Sequence, residues 1–281
     1  MVRGKKNMSQ LHYSDFSLPA YPNRINTLLR NPLRALLQPV HGLYTGSIPE
    51  LFIQIQRATT PHQLTKLVNK LQSRIFQLSP AEQAVTRQRL TDSLTSIVLL
   101  ASQASLRLEA ASWLRMFVQA AYPSQPEQIF VTLVTAANRA YAETGSNSTN
   151  ELRAYLKMIF ECFWPFRYPY AAYNWEQYPS NAVFYSLAPL LTHNDDYTQA
   201  MLISIFAELP SLDDPEIAVH LLPVALAWST DANPERRQRI TTILSLMSHS
   251  SAQEAVSRLQ SDANPSISTS AKRAAEKVRR A

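Results

Sequence analysis

The sequence predicts an all-α protein built as a solenoid of antiparallel helical hairpins, with a more irregular helical region toward the N-terminus. Three observations predict it. Apolar residues recur at helical spacing, as in Leu64, Leu67, Val68, Leu71 and Ile75, while no segment alternates with the period of a strand. Helix-start signals recur along the chain. Only four glycines occur in 281 residues (Gly4, Gly42, Gly46, Gly145), too few for the tight turns of a mostly-β fold.

The start signals place the elements in order. "TPHQ" at 60–63 and "SPAE" at 79–82 each offer a Ser or Thr N-cap, a proline at the first helical position and Gln or Glu at the third, the pattern of a capping box. "SIPE" at 47–50 and "STNE" at 148–151 repeat the spacing from serine to glutamate, and Gly145 stands where a helix would end. Ile129, Phe130, Leu133, Val134 and Ala137 form a further apolar stripe, as do Leu152, Leu156, Ile159, Phe160 and Phe163. Helices are expected near 24–37, 49–57, 61–77, 80–103, 105–121, 126–143, 150–163, 181–192, 195–208, 215–228, 234–248, 252–260 and 265–280. Their short connections make successive helices antiparallel neighbours.

A tetrapeptide repeats in the last third. "DANPERRQRI" begins at Asp231 and "DANPSISTSA" at Asp262, with an imperfect forerunner, "LDDPEIAV", at Leu212. Ile240, Ile243, Leu244 and Met247, then Ala252, Ala255, Val256 and Leu259, form two amphipathic helices between the copies. Ile267, Ala271, Ala274, Ala275 and Val278 form a third helix after them. An Asp or Asn before proline caps the helix it opens.

Residues 211–281 on this account resemble a HEAT-type repeat, in which a helix opens after an Asp/Asn-Pro turn and hairpins back into a second. The resemblance implies a HEAT/armadillo-like solenoid and a non-enzymatic adaptor or scaffold that binds a protein partner. No clean copy precedes residue 211, so the upstream region is either degenerate repeats or a separate helical bundle. The expected organisation is a flexible basic arm at 1–20, an N-terminal helical region at 21–163, an aromatic and proline-rich junction at 164–179, and HEAT-like repeats at 180–281.

Composition excludes several function classes. Neither G-x-G-x-x-G nor G-x-x-x-x-G-K-[ST] occurs, which removes the common nucleotide-binding loops. The six histidines share no metal-ligand spacing, and one cysteine cannot build a zinc cluster, so no metal or cofactor is expected. His193, Asp195 and Asp196 read as a capped helix boundary. No G-x-S-x-G elbow occurs, and Cys162 falls on an apolar stripe, as a packed, inert thiol would. No catalytic residue is expected. The HEAT-like enzymes, DNA glycosylases and bilin lyases, have motifs whose catalytic acid matches no residue of this chain.

A single cysteine fits a reducing, cytoplasmic location, and no apolar run is long enough to span a membrane. The N-terminus is basic, with six Lys/Arg against Asp15 in residues 1–49, but no apolar core of a signal peptide follows.

Two stretches are candidates for binding. "FECFWPFRYPYAAYNWEQYP", residues 160–179, holds nine aromatic rings and three prolines. Phe160 and Phe163 read as core, and Trp164 and Phe166, next to the helical stripe, are expected to be buried. Arg167, Tyr170, Tyr173, Trp175 and Tyr178 are the candidate contacts for a protein partner, since Tyr, Trp and Arg dominate interface hot spots. The packing alternative makes the stretch a plug between two helical regions. The second candidate is a basic ridge of Arg236, Arg237, Arg239, Lys272, Arg273 and Lys277, brought together if the repeats stack. It would receive a nucleic acid or another anion. Its alternative is the solvated face of a terminal repeat. The net charge of +6 is compatible with either.

Overall fold

The computed structural model describes residues 47–120, 126–144, 150–166, 177–192 and 195–280. They are helical throughout, with no strand among the described residues. In order the helices are α1 (Ile48–Gln56), α2 (Pro61–Ile75), α3 (Pro80–Leu100), α4 (Ala104–Gln119), α5 (Glu127–Thr144), α6 (Asn150–Cys162), two 3-10 helices (Trp164–Phe166 and Asn181–Thr192), α7 (Asp196–Phe206), α8 (Pro215–Ser229), α9 (Pro234–Leu246), α10 (Ser250–Leu259) and α11 (Pro265–Arg280). The expected helix 24–37, Gly145 and Ser148 lie outside the described residues.

The boundaries follow the caps. Ser47 and Ser79 form reciprocal capping boxes with Glu50 and Glu82. Thr60 caps α2 by accepting from the Gln63 N–H, but the box is not closed as expected. The Gln63 side chain turns to the Thr59 N–H instead, at 3.1 Å. The segment expected as an ordinary helix over 181–192 is a 3-10 helix containing Pro189. Proline supplies no N–H and its ring crowds the carbonyl four residues back, which disfavours α geometry in that turn. Contacts at its first turns hold it: Asn181 Nδ2 donates to Ser211 O at 2.8 Å and Tyr185 Oη to Asp214 Oδ2 at 2.7 Å.

The helices alternate between two layers. In the first, α1 packs on α3, α3 on α5, α5 on the 181–192 helix, that helix on α8, and α8 on α10. In the second, α2 packs on α4, α4 on α6, α6 on α7, and α9 on α11. One continuous apolar core lies between the layers and runs from Leu51 to Ala271, including the stripes expected on α2, α5, α6, α9 and α10. Helix packing does not stop at the aromatic stretch, because α6 meets α7 and α5 meets the 181–192 helix.

Successive hairpins are tied by arginines at one position, the fourth residue of a second-layer helix. Arg107 on α4 is 5% exposed. Its Nη1 donates to the Ala101 and Ser102 carbonyls of its own turn, at 3.1 and 3.0 Å. Its Nε and Nη2 fork onto Glu151 of α6 at 2.9 and 2.8 Å. Arg237 on α9 repeats this. It donates to the Asp231 and Ala232 carbonyls at 2.7 and 3.1 Å, and forks onto Asp262 at 2.7 and 3.1 Å. Arg153, at the same position of α6, reaches Asp195, the N-cap of α7, at 2.6 Å. Each fork satisfies a buried or half-buried carboxylate and joins one hairpin to the next.

The repeated tetrapeptide has a double use here. Asp231 and Asp262 accept from the N–H two residues on, at 2.7 and 2.8 Å, and Asn233 and Asn264 then cap α9 and α11. Both copies open helices of the second layer, with α10 of the first layer between them.

Removing Arg107 leaves the Glu151 carboxylate, 14% exposed, without its charged partner and with only the Tyr155 hydroxyl donating to it. Arg107→Ala should therefore lower unfolding free energy by about 3 kcal/mol, read from the midpoint of urea denaturation. Arg107→Lys keeps the charge but not the fork, and should fall between that variant and wild type. A wild-type midpoint for Arg107→Ala would refute the clamp.

Candidate interaction surface

The outward faces of α4, α6, α7 and α9 in the second layer differ from those of the first. On α3, Ala81, Glu82, Ala84, Val85, Arg89, Asp92, Ser96 and Leu100 are exposed, and α1, α5 and α8 show the same pattern. On α4, by contrast, no residue after Ser105 is fully exposed. The same holds on α7 after Tyr197, on α6 for every residue between Asn150 and Trp164 except Lys157, and on α9 from Arg236 to Ser245. The outward positions there are half-buried, and many are apolar: Leu108 and Met116 on α4, Met158 on α6, Ala200 and Met201 on α7.

Polar residues frame this strip. Arg115 Nη1 on α4 meets Glu161 Oε2 on α6 at 2.7 Å, and Lys157 approaches the other oxygen at 3.9 Å. The Arg153 guanidinium lies 5.4 Å from the ring centroid of Tyr197, which is 37% exposed. Trp164 is also 37% exposed. This corrects the expectation that it is buried. Lys157, Glu161 and Trp164 follow at i+4 and i+3, so the ring continues the outward stripe of α6, a periodicity that was readable in the sequence. Phe166, expected to be buried, is so.

The remaining rings of this region split by position. Phe163 lies 4.8 Å from Phe130 and 5.5 Å from Phe184, centroid to centroid, in a fully buried aromatic cluster. Phe160 is half-buried against the core. Tyr178 is half-buried, with its ring 5.1 Å from Phe166, and its hydroxyl donates to the Glu208 carbonyl. Arg167, Tyr170, Tyr173 and Trp175 lie outside the described residues.

The basic residues of the C-terminal third are brought to adjacent helices, since α9 packs on α11 and Gln238 Nε2 donates to Ser270 Oγ at 2.9 Å. Two of these charges, on Arg236 and Arg237, are balanced locally. Arg236 pairs with Asp231 at 2.6 Å and with Asp196, and lies 5.3 Å from the Trp228 ring. Arg237 is held by Asp262. Arg239 is half-buried, and Lys272 and Arg273 are exposed on α11. The Lys277 side chain lies outside the described residues. Residues 195–281 hold nine Lys/Arg against eleven Asp/Glu, so this third is not basic as a whole.

Among the described residues no group of His, Cys, Asp and Glu is placed to hold a metal ion. No described helix is long and apolar enough to cross a membrane. A shallow depression of about 390 Å³ at the turn edge is lined by Gln56, Thr59, Ser93, Ser96, Leu100 and Gln103 among others, a set without a nucleophile–base pair. Cys162 is fully buried, and burial pushes its thiol well above the ordinary range. The Tyr155 hydroxyl, which donates to Glu151 at 3.3 Å, is pushed up to about 12, by burial first and by the Glu151 charge second.

Among these features the fold defines the protein only as far as its class, an all-helical chain. No protein-family model matches it, and no curated protein matches it. Among solved structures, an engineered protein is similar over 84% of this chain and 98% of its own, at 16% identity and a TM-score of 0.47.

Two outcomes follow from the charges and the thiol. The Arg237 hydrogen bond holds the Asp262 carboxyl below its usual range, and the Asn233 N–H followed by Arg236 does the same for Asp231. A depressed carboxylate contributes stability that is complete above its unfolded value of about 3.9 and is lost as pH falls through the folded value. Acid titration followed by Trp fluorescence should therefore show stability falling from about pH 4 downward, and Asp262→Asn should flatten that limb. An unchanged limb would exclude the pair as its source. Cys162 should react with a disulfide reagent only at the rate of unfolding, so that denaturant accelerates labelling in step with the loss of helix. Fast labelling of the native protein would contradict its burial.

Proposed function

We propose that the chain is a HEAT-like α-solenoid acting as a non-enzymatic adaptor, which binds a protein partner on the face of α4, α6 and α7. The observation that carries this is the strip of half-buried apolar side chains, Leu108, Met116, Met158, Ala200 and Met201, edged by exposed Trp164 and Tyr197. Unbranched methionines re-pack readily around a partner, and an apolar centre with aromatic and arginine edges is the composition of an interface core. The alternation of layers beginning at α1 supports degenerate repeats upstream over a separate bundle. Half-burial along the outer face of α4, α6, α7 and α9 supports a concave surface, where flanking helices shade each side chain. The tetrapeptide at 231 and 262 supports the HEAT-like reading, and the buried free thiol fits a reducing, cytoplasmic setting.

The test is capture from nuclease-treated native lysate with wild-type protein and with Met158→Gln/Met201→Gln. A specific protein should co-purify with wild type and fall at least tenfold with the variant, while the melting temperature stays within a few degrees. Equal capture by both would refute this face as the contact.

A further inference from the structure

The sulfur-bearing side chains of the described residues fall into two groups. Met247, just beyond α9, is 3% exposed, and Cys162 of α6 is fully buried. Burial also keeps the Cys162 thiol protonated, whereas the thiolate is the form that reacts. Met116, Met158 and Met201 are half-buried instead, one on each of α4, α6 and α7. Met1 and Met8 lie outside the described residues. Every described sulfur-bearing side chain open to solvent therefore stands on the outward strip of the second layer. The three helices are neighbours, since α4 packs on α6 and α6 on α7.

The methionines also carry most of the apolar material of the strip. Beside them stand Leu108 and Ala200, the latter a single methyl group. The long, unbranched chains that re-pack around a partner are thus all thioethers. Oxidation to the sulfoxide turns such a chain into a polar one. In the free protein, water satisfies the new sulfoxide oxygens. Under a partner that brings apolar groups they would be buried without a donor, which opposes binding. The core is spared, because Met247 is sealed among buried Ile243, Leu244 and Ala252 or their neighbours in the same apolar core.

We propose that Met116, Met158 and Met201 form a modification site for hydroperoxides, at which sulfoxide formation closes the strip to its protein partner. This inference rests on the adaptor reading of that face. In the step itself the sulfur lone pair attacks one oxygen of the peroxide. The S–O bond forms and the O–O bond breaks. The departing oxygen takes the proton of the transferred hydroxyl and leaves as water, or as an alcohol from an organic hydroperoxide. Sulfur gives up an electron pair and the peroxide receives it. The change is reversible, since methionine sulfoxide reductases return each sulfoxide to the thioether.

The experiment treats the full chain with hydrogen peroxide, locates the sulfoxides by peptide mass spectrometry, and then uses the immobilised protein for capture from nuclease-treated lysate. Met116, Met158 and Met201 should oxidise in the native chain roughly tenfold faster than Met247, which should catch up only in denaturant. Helix content by circular dichroism should not change. Capture should fall roughly tenfold on oxidation and return after treatment with methionine sulfoxide reductases. Met116→Leu/Met158→Leu/Met201→Leu keeps the apolar volume without the sulfur, and should capture equally before and after peroxide. The proposal is overturned if wild type carrying all three sulfoxides still captures its partner, if the leucine variant loses capture on oxidation, or if Met247 oxidises as fast as the three. Equal capture by untreated wild type and by untreated Met158→Gln/Met201→Gln removes the adaptor reading itself, and the modification site's effect with it.

Discussion

The fork from Arg107 to Glu151 is the contact on which the stacking of hairpins depends. A helical hairpin buries its apolar stripe against any neighbour of the right shape, so hydrophobic packing alone leaves its register loose. An arginine that binds two carbonyls of its own turn and a carboxylate of the next hairpin removes that freedom. The same construction at Arg237 and Asp262, 130 positions later in the chain, and the related Arg153–Asp195 pair, set helix against helix at the same end of the stack. The helices joined by Arg107 and Arg153, namely α4, α6 and α7, are the ones that carry the half-buried Met116, Met158 and Met201.

Local chemistry made much of the helix order legible. A serine or threonine N-cap with proline just inside the helix states where it begins, and the described helices start within about two residues of those signals. The core was legible for the same reason, since Leu64, Leu67, Leu71 and Ile75 can share only one face of a helix. The clamps were not legible. Arg107 and Glu151 stand 44 residues apart and Arg237 and Asp262 stand 25 apart, so no spacing rule links them. In sequence Arg237 reads as part of a binding ridge, because its neighbours Arg236 and Arg239 are also basic. The acids that balance Arg236 and Arg237 come from the turn before and from adjacent hairpins. Trp164 is exposed because its ring still follows the period of Lys157 and Glu161, although prolines at 165 and 169 end the regular helix just beyond it.

The α4–α6–α7 strip is half-shaded, with apolar side chains at its centre. A partner docked there as proposed would release water from apolar surface, and such binding would change little with salt.

The 3-10 helix in the first layer has a geometric consequence. A 3-10 helix rises about 2.0 Å per residue and an α-helix about 1.5 Å, so the twelve residues Asn181–Thr192 reach about 24 Å where an α-helix would reach about 18 Å. Its neighbours α5 and α8, with eighteen and fifteen residues, extend about 27 and 22 Å. The thinner, stretched winding therefore lets a short segment span the full width of the stack. Rewinding it as an α-helix would open a gap of one turn between Asn181 and its anchor on Ser211.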